Sequence, residues 1–183
     1  MFETSNRHLP VKLADRSVKS RLRTCGFKKI GAGCYASVYG APGADHVYKV
    51  GDLHDNEGYL AYLKVVHRNG KNPFFPRIHA LQYVTGRDIG GDVFVVKMER
   101  LKPLTNREVY AMDDIAGVMV DLQDTQSKLD TIHGLGMIRV DRTFREAIIA
   151  ITRAARRNFS HLDLHGGNFM RRGSQLVITD PLS

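Results

Sequence analysis

The residues best equipped for chemistry lie near the end of the chain, in His161-Leu162-Asp163-Leu164-His165-Gly166-Gly167-Asn168. Asp163 and Asn168 stand five apart, and twelve residues after Asn168 the β-prone run Val177-Ile178-Thr179 ends in a second acid, Asp180. A carboxylate such as Asp163 can orient a hydroxyl nucleophile. An amide oxygen and a second carboxylate, Asn168 and Asp180, are hard ligands suited to Mg2+. Far upstream lies Gly31-Ala32-Gly33-Cys34-Tyr35-Ala36-Ser37-Val38, and after it Lys49 in Val47-Tyr48-Lys49-Val50. Glycines let backbone N–H groups approach phosphates with no Cβ in the way. A lysine one hairpin later can reach the α- and β-phosphates of a nucleotide. Phosphoryl transfer needs these parts together: charge neutralisation around a triphosphate, two oxygen ligands for the metal and a positioned hydroxyl.

Each part alone has an ordinary explanation. Two glycines serve a tight hairpin turn equally well, and a strand lysine often points into solvent. The context excludes two other nucleotide motifs, because no helix follows the glycines and no GKS or GKT follows them. His161, Asp163 and His165, at alternate positions, offer a rival transition-metal site. That rival leaves the glycine turn, Lys49 and Asp180 without a role.

These groups need elements to hold them. Val11, Ala14, Val18 and Leu22 recur at near-helical spacing over 11–24, and Gly26 suits a left-handed helix end. Residues 27–50 break into FKKI, ASVYG and HVYKV between tight turns, a pattern of three antiparallel strands. A helix is expected over 55–68, with Tyr59, Tyr62, Leu63 and Val66 on one face. Strands are expected around 77–84 and 92–99, the latter nearly continuously apolar, as in a buried strand. From about 106 the chain reads as mainly helical. Residues 143–157 put Phe144, Ala147, Ile148, Ile151 and Ala155 on one face and arginines on the other. A loop at 160–168 and a strand near 175–179 finish the chain.

Composition narrows the class. The 183 residues suit one domain, or two small lobes sharing a cleft, and 43% hydrophobic residues suffice for a core. No apolar run approaches the ~18 residues that would span a bilayer, and no signal peptide is legible at the N-terminus. Two cysteines, Cys25 and Cys34, are too few for a disulfide framework, so a cytoplasmic location is expected. The net charge of +8 favours acidic partners, among them nucleotides, nucleic acid and acidic protein surfaces. No zinc-finger spacing or RNA-binding aromatic signature accompanies it, so direct nucleic-acid binding is allowed but not favoured.

From about Cys25 to Ser183 the chain resembles the protein-kinase superfamily. GFKKIGAGCYASVYG, HVYKVG, the Pro76-Arg77-Ile78 region, HLDLHGGNFM and VITDPLS resemble more closely the early Ser/Thr protein kinase of lytic, short-tailed bacteriophages. The resemblance implies an α+β, bilobal kinase-like fold: a helical extension over 1–24, an antiparallel β N-lobe with one helix over 25–100, and a minimal helical C-lobe over 101–183. It implies ATP and Mg2+ as cofactors, with ATP bound between the lobes. Gly31 and Gly33 would lie over the phosphates, with Ala36 in the third-glycine position, Ala32 and Val38 also binding the nucleotide, and Lys49 gripping it. Asp163 would be the catalytic base, Asn168 and Asp180 the metal ligands, and Met98-Glu99-Arg100 the segment whose backbone reads adenine. The implied partners are host proteins of transcription and RNA processing, and the chain itself, in the host bacterial cytoplasm.

Departures from the family pattern define the alternatives. The lysine's usual partner is a Glu on the following helix; Glu57 is the candidate here, with Asp55 beside it. His165 stands where Ser/Thr kinases carry a Lys, a form shared with small-molecule kinases such as the aminoglycoside phosphotransferases. Asp180 is followed by Pro181-Leu182 rather than Phe-Gly, with no activation segment before Ser183. Beside the protein kinase stand two other readings: a small-molecule phosphotransferase, and a nucleotide-binding pseudokinase that inhibits a host protein by binding it.

Overall fold

The computed structural model of the chain describes residues 15–84, 92–120 and 142–183. Val11 and Ala14 of the first expected helix lie outside them. The architecture is mixed α+β: the described residues form a five-stranded antiparallel sheet, a small three-stranded sheet and four α-helices. The chain divides into two compact units: one runs up to Asn56 and adds Arg77–Arg100, the other takes Glu57–Pro76 and Leu101–Ser183. The helix after Lys49, expected with the β-rich half, thus groups with the later residues. Among the described residues no helix is long and apolar enough to cross a membrane.

In the first unit, helix α1 (Asp15–Thr24) precedes strands β1 (Lys28–Ala32), β2 (Ala36–Gly40) and β3 (His46–Asp52). Strands β4 (Ile78–Val84) and β5 (Val93–Glu99) complete a sheet of order β1-β2-β3-β5-β4. Gly26, at φ +83°, takes the left-handed position after α1, and the Phe27 N–H then bonds back to the Leu22 carbonyl. The chain turns there, which lays Val18 and Leu22 of α1 against Tyr39, Val50 and Val95. Full burial of a Val or Leu side chain is worth ~1.5–3 kcal/mol, and these two, partly buried, contribute a fraction of that. β5 is paired on both sides, and its consecutive residues Val93, Phe94, Val95 and Val96 are all buried, so both of its faces are covered, which accounts for the unbroken apolar run.

In the second unit, α2 (Glu57–Arg68) packs on α4 (Arg142–Asn158). Phe144, Ala147, Ile148, Ile151 and Ala155 are all buried, as the amphipathic spacing requires. Phe74 meets Phe144 at 4.8 Å between ring centroids, and the Tyr62 hydroxyl donates to the buried Ile178 carbonyl at 2.6 Å. Helix α3 (Asn106–Val120) opens with a capping box. The Thr105 N–H donates to the Glu108 carboxylate at 2.8 Å, and the Glu108 N–H reaches back toward the Thr105 hydroxyl at 3.4 Å. A small sheet of order β6-β7-β8 joins β6 (Lys102–Pro103), β7 (Phe169–Arg172) and β8 (Gln175–Ile178). Of these three strands the sequence pattern predicts only β8. Arg171 of β7 pairs with Glu108, and Arg172 donates to the carbonyls of Pro73 and Phe75.

Helix α4 ends as α1 does, with the Ser160 N–H bonded back to the Ala155 carbonyl at 3.1 Å. Here, however, the left-handed position belongs to Phe159, at φ +53°. For a residue with a Cβ this conformation costs ~1–2 kcal/mol.

Candidate active site

Within the first unit, strand register aligns three of the expected residues. Gly31 lies opposite Val38, and Val38 lies opposite Lys49. Directly opposed residues of antiparallel strands share a face, so the three form one row across β1, β2 and β3. Lys49 is buried at 8% exposure, so its side chain lies within the fold rather than pointing into solvent. The glycines add an argument. Neither Gly31 nor Gly33 is left-handed, a Cβ on Gly31 would meet only Val38 at 3.8 Å, and one on Gly33 would meet nothing. The fold does not need glycine at either place, whereas close approach of a ligand would.

The turn itself is stiff. The Gly33 N–H closes the hairpin onto the Ala36 carbonyl at 2.9 Å. The Tyr35 carbonyl accepts from the Asp52 N–H at 3.4 Å and from the Asn56 side chain at 3.2 Å. Asn56 also donates to the Asp52 carbonyl at 2.8 Å and is buried, so it acts as a strut under the turn. No sequence signal marks it: a single Asn before a helix is most simply a cap. A pocket of about 290 Å3 opens beside the turn, lined by Lys19, Lys29, Ser37, Val50 and Asp52 among others. Val50 and Ser37 face away from Lys49, so this pocket belongs to the opposite side of the sheet.

Met98 is buried in the middle of the sheet, paired with Val47 and Ile78. The Glu99 N–H donates to the Arg77 carbonyl at 3.0 Å and the Arg100 N–H to the Asp45 carbonyl at 2.7 Å. A base edge meeting this segment must therefore find its donor beyond Arg100.

Within the second unit, Asp163, His165, Asn168 and Asp180 come together through the backbone. His161 and Ser183 exchange N–H···O bonds of 2.8 and 3.1 Å, and the Asp163 N–H donates to the Pro181 carbonyl at 2.9 Å. The Asn168 carboxamide donates to the Asp163 carbonyl at 2.6 Å. The Thr179 N–H and hydroxyl both donate to the Asn168 carbonyl, at 2.8 and 3.0 Å, which sets Asp180 one residue beyond Asn168's neighbour. His165 Nδ1 accepts from the Gly167 N–H at 3.1 Å, so a neutral His165 carries its proton on Nε2, 3.8 Å from the Asp163 carboxylate. Gly166 donates to the Asp113 carboxylate of α3 at 2.5 Å. It sits so close to that helix that a Cβ would lie 2.2 Å from the Val109 carbonyl oxygen. Asp113 lies far from the loop in sequence, and its role could not be read there.

The carboxylates of this half differ in surroundings. Asp163 is about half exposed, at 48% for its side chain, so its carboxylate is open to solvent. Asp180 lies near the aromatic pair of α2. Burial pushes the hydroxyls of Tyr59 and Tyr62 well above the usual tyrosine range, and the charge of Asp180 adds to both shifts. Glu57, the expected partner of Lys49, is the first residue of α2 and is exposed. Among the described residues no group of three or more His, Cys, Asp or Glu converges to hold a metal, so the rival site at His161, Asp163 and His165 gains no support. The donors that fit Mg2+ are instead oxygens. With its NH2 given to the Asp163 carbonyl, the Asn168 side chain keeps its oxygen for another partner, and amide and carboxylate oxygens such as those of Asn168 and Asp180 are the donor types that suit Mg2+. No protein-family model matches this chain, and no curated protein matches it.

Proposed function

We propose that this chain is an ATP- and Mg2+-dependent phosphotransferase of bilobal, protein-kinase-like architecture that phosphorylates Ser or Thr hydroxyls of proteins. By resemblance its substrates are host bacterial proteins of transcription or RNA processing, and itself. The observation that carries the reading is the Asn168–Asp163 bond. It fixes the spacing of a hydroxyl-orienting acid and a cation-binding amide through the backbone, so that neither carboxylate nor amide oxygen is consumed in holding the loop. The glycines at 31 and 33, which the hairpin does not require, support it independently.

In this reading Gly31, Ala32, Gly33, Val38 and Lys49 bind the nucleotide, with Gly31, Gly33 and Lys49 at its phosphates, and Asn168 and Asp180 take the metal. Mg2+, when bound, supplies charge neutralisation on the phosphates. Asp163 orients the substrate hydroxyl for in-line attack on the γ-phosphorus. A new P–O bond forms, the bond to the β–γ bridging oxygen breaks, ADP leaves, and the hydroxyl proton passes to Asp163. Catalysis is mostly positioning and electrostatics. His165, whose Nε2 lies 3.8 Å from the Asp163 carboxylate, stands beside the reacting groups.

The test is intact-mass spectrometry after incubation with ATP and Mg2+, comparing wild type with Asp163→Asn. The substitution keeps the backbone carbonyl that anchors Asn168, so the loop should survive while transfer falls by roughly 10²–10⁴-fold. Phosphate mass gained by wild type alone is the expected result. Equal gain in both would remove Asp163 as the base. Gain in neither, in the presence of a host lysate as well, would favour the pseudokinase reading.

A further inference from the structure

The reaction proposed above leaves unused the solvent side of α4 and the residue just past its end. Arg142, Arg145, Arg153, Arg156 and Arg157 are all exposed, and their spacing sets them along one stripe of the helix. Glu146, bonded to Arg142 at 2.8 Å, is the one acid in the helix, and no lysine interrupts the arginines. Among the described residues no acid pairs with Arg153, Arg156 or Arg157. Guanidinium forks suit phosphate oxygens bidentately and also stack on flat rings.

The stripe runs into Phe159. Two helices of this chain end in the same hydrogen-bond motif; α1 fills its left-handed position with Gly26, whereas α4 fills it with Phe159. Glycine is the cheapest residue there. The Phe159 ring is 96% exposed, so it recovers nothing by burial. Neither the helix end nor the core accounts for a phenylalanine. A projecting ring beside cations is a platform rather than a pocket: it cannot receive a side chain, but a base can stack on its open face while arginines one turn away meet the flanking phosphates.

We infer that Arg153, Arg156, Arg157 and Phe159 form a binding surface for single-stranded nucleic acid, with little sequence preference. Charge complementarity and the open ring favour this occupant over an acidic protein segment, which would use the arginines and leave the ring idle. The inference is independent of phosphotransfer activity.

Fluorescence anisotropy of a labelled oligouridylate of about 20 nucleotides tests it, titrated with the 183-residue chain between about 50 and about 200 mM salt. Three phosphate contacts on a single strand give log K a slope of about −2 against log salt. Replacing Arg153, Arg156 and Arg157 together by Gln should flatten the slope by that amount. Phe159→Gly should weaken binding about tenfold or more with the slope unchanged, and should leave the thermal midpoint unchanged or raise it. Phe159→Leu, which keeps bulk and loses the ring, should bind as weakly as Phe159→Gly. Wild-type affinity in either Phe159 variant, or an unaltered slope in the arginine variant, would overturn the inference. So would competition by polyglutamate as effective as that by unlabelled oligouridylate, which would assign the face to acidic protein. A lower thermal midpoint in Phe159→Gly would also count against it, by making the ring structural.

Discussion

The row Gly31–Val38–Lys49 and the loop His161–Asn168 place their chemical groups by opposite means. In the row, strand pairing fixes position and alternation fixes direction, so no side chain of the row holds another in place. In the loop nothing repeats. Asn168 hangs on the Asp163 carbonyl, Gly167 on His165, Gly166 on Asp113, and Thr179 on Asn168. Substitution in the row should therefore change chemistry and spare the fold. Substitution in the loop should disturb several groups at once, because each bond positions the next.

The sharpest contrast is between two glycines. Gly166→Ala would drive a Cβ to 2.2 Å from the Val109 carbonyl oxygen. Backbone cannot step aside as a flexible side chain can, so the cost should reach roughly 3 kcal/mol, the upper end for overpacking, with loss of transfer. Gly33→Ala meets nothing within 4 Å and should leave the thermal midpoint unchanged while nucleotide affinity falls. Thermal melts and nucleotide titrations on both variants would break the comparison if Gly166→Ala melted like wild type. Unchanged nucleotide affinity in Gly33→Ala would reduce that glycine to a turn residue.

Lys49→Met comes next. It keeps the methylenes that pack in the sheet and removes only the ammonium group. Transfer should drop by roughly 10²-fold, the scale of one lost electrostatic contact to developing charge. Asn168→Asp then probes the loop from the other side. Aspartate is a good Mg2+ ligand, so a residue that served only the metal would tolerate it. Here it sets a carboxylate oxygen against the Asp163 carbonyl across a 2.6 Å contact, and should cost ~1–3 kcal/mol in stability. An undiminished melting temperature would show that the amide is no strut.

Legibility in the sequence follows the same division. Local signals suffice where one element decides its own burial: the buried positions of α4, the interior strand β5 and the left-handed Gly26 all follow from local pattern. The strand β7 escapes such a reading because FMRR buries only Phe169 and alternates with nothing; its pairing comes from β6 and β8. β6 is two residues with a proline, too short for any periodic signal. The grouping of α2 is hidden for a similar reason. Gly58 and Tyr62 touch Leu182 and Ile178, contacts that span more than a hundred residues and leave no local trace. The candidate residues of the loop are legible through their types and spacing alone, whereas the bonds that hold them, from Asp113 especially, are not, and neither is the strut that Asn56 forms under the glycine turn.

The smallest effect concerns how the loop's supporting helix is tied down. Glu108 closes the capping box of α3 and pairs with Arg171 of β7. The Thr105 N–H first, then the Thr105 hydroxyl and Arg171, hold its carboxyl below the ordinary value of 4.5. A folded-state pKa below the unfolded one means a contribution present above about pH 4.5 and lost as pH falls through the lowered value. The group is partly exposed in its pair with Arg171, so screening keeps the contribution small. Glu108→Gln separates its two duties, because glutamine can still accept from the Thr105 N–H but cannot pair with Arg171 as an ion. Melting curves of wild type and Glu108→Gln should differ slightly at neutral pH, with wild type the higher, and converge as the carboxylate is protonated. A gap that stayed constant into acid would mean that the shape of the side chain, and not its charge, ties α3 to β7. The loop would then be supported by packing at both ends, and the contrast with the strand-held row would narrow.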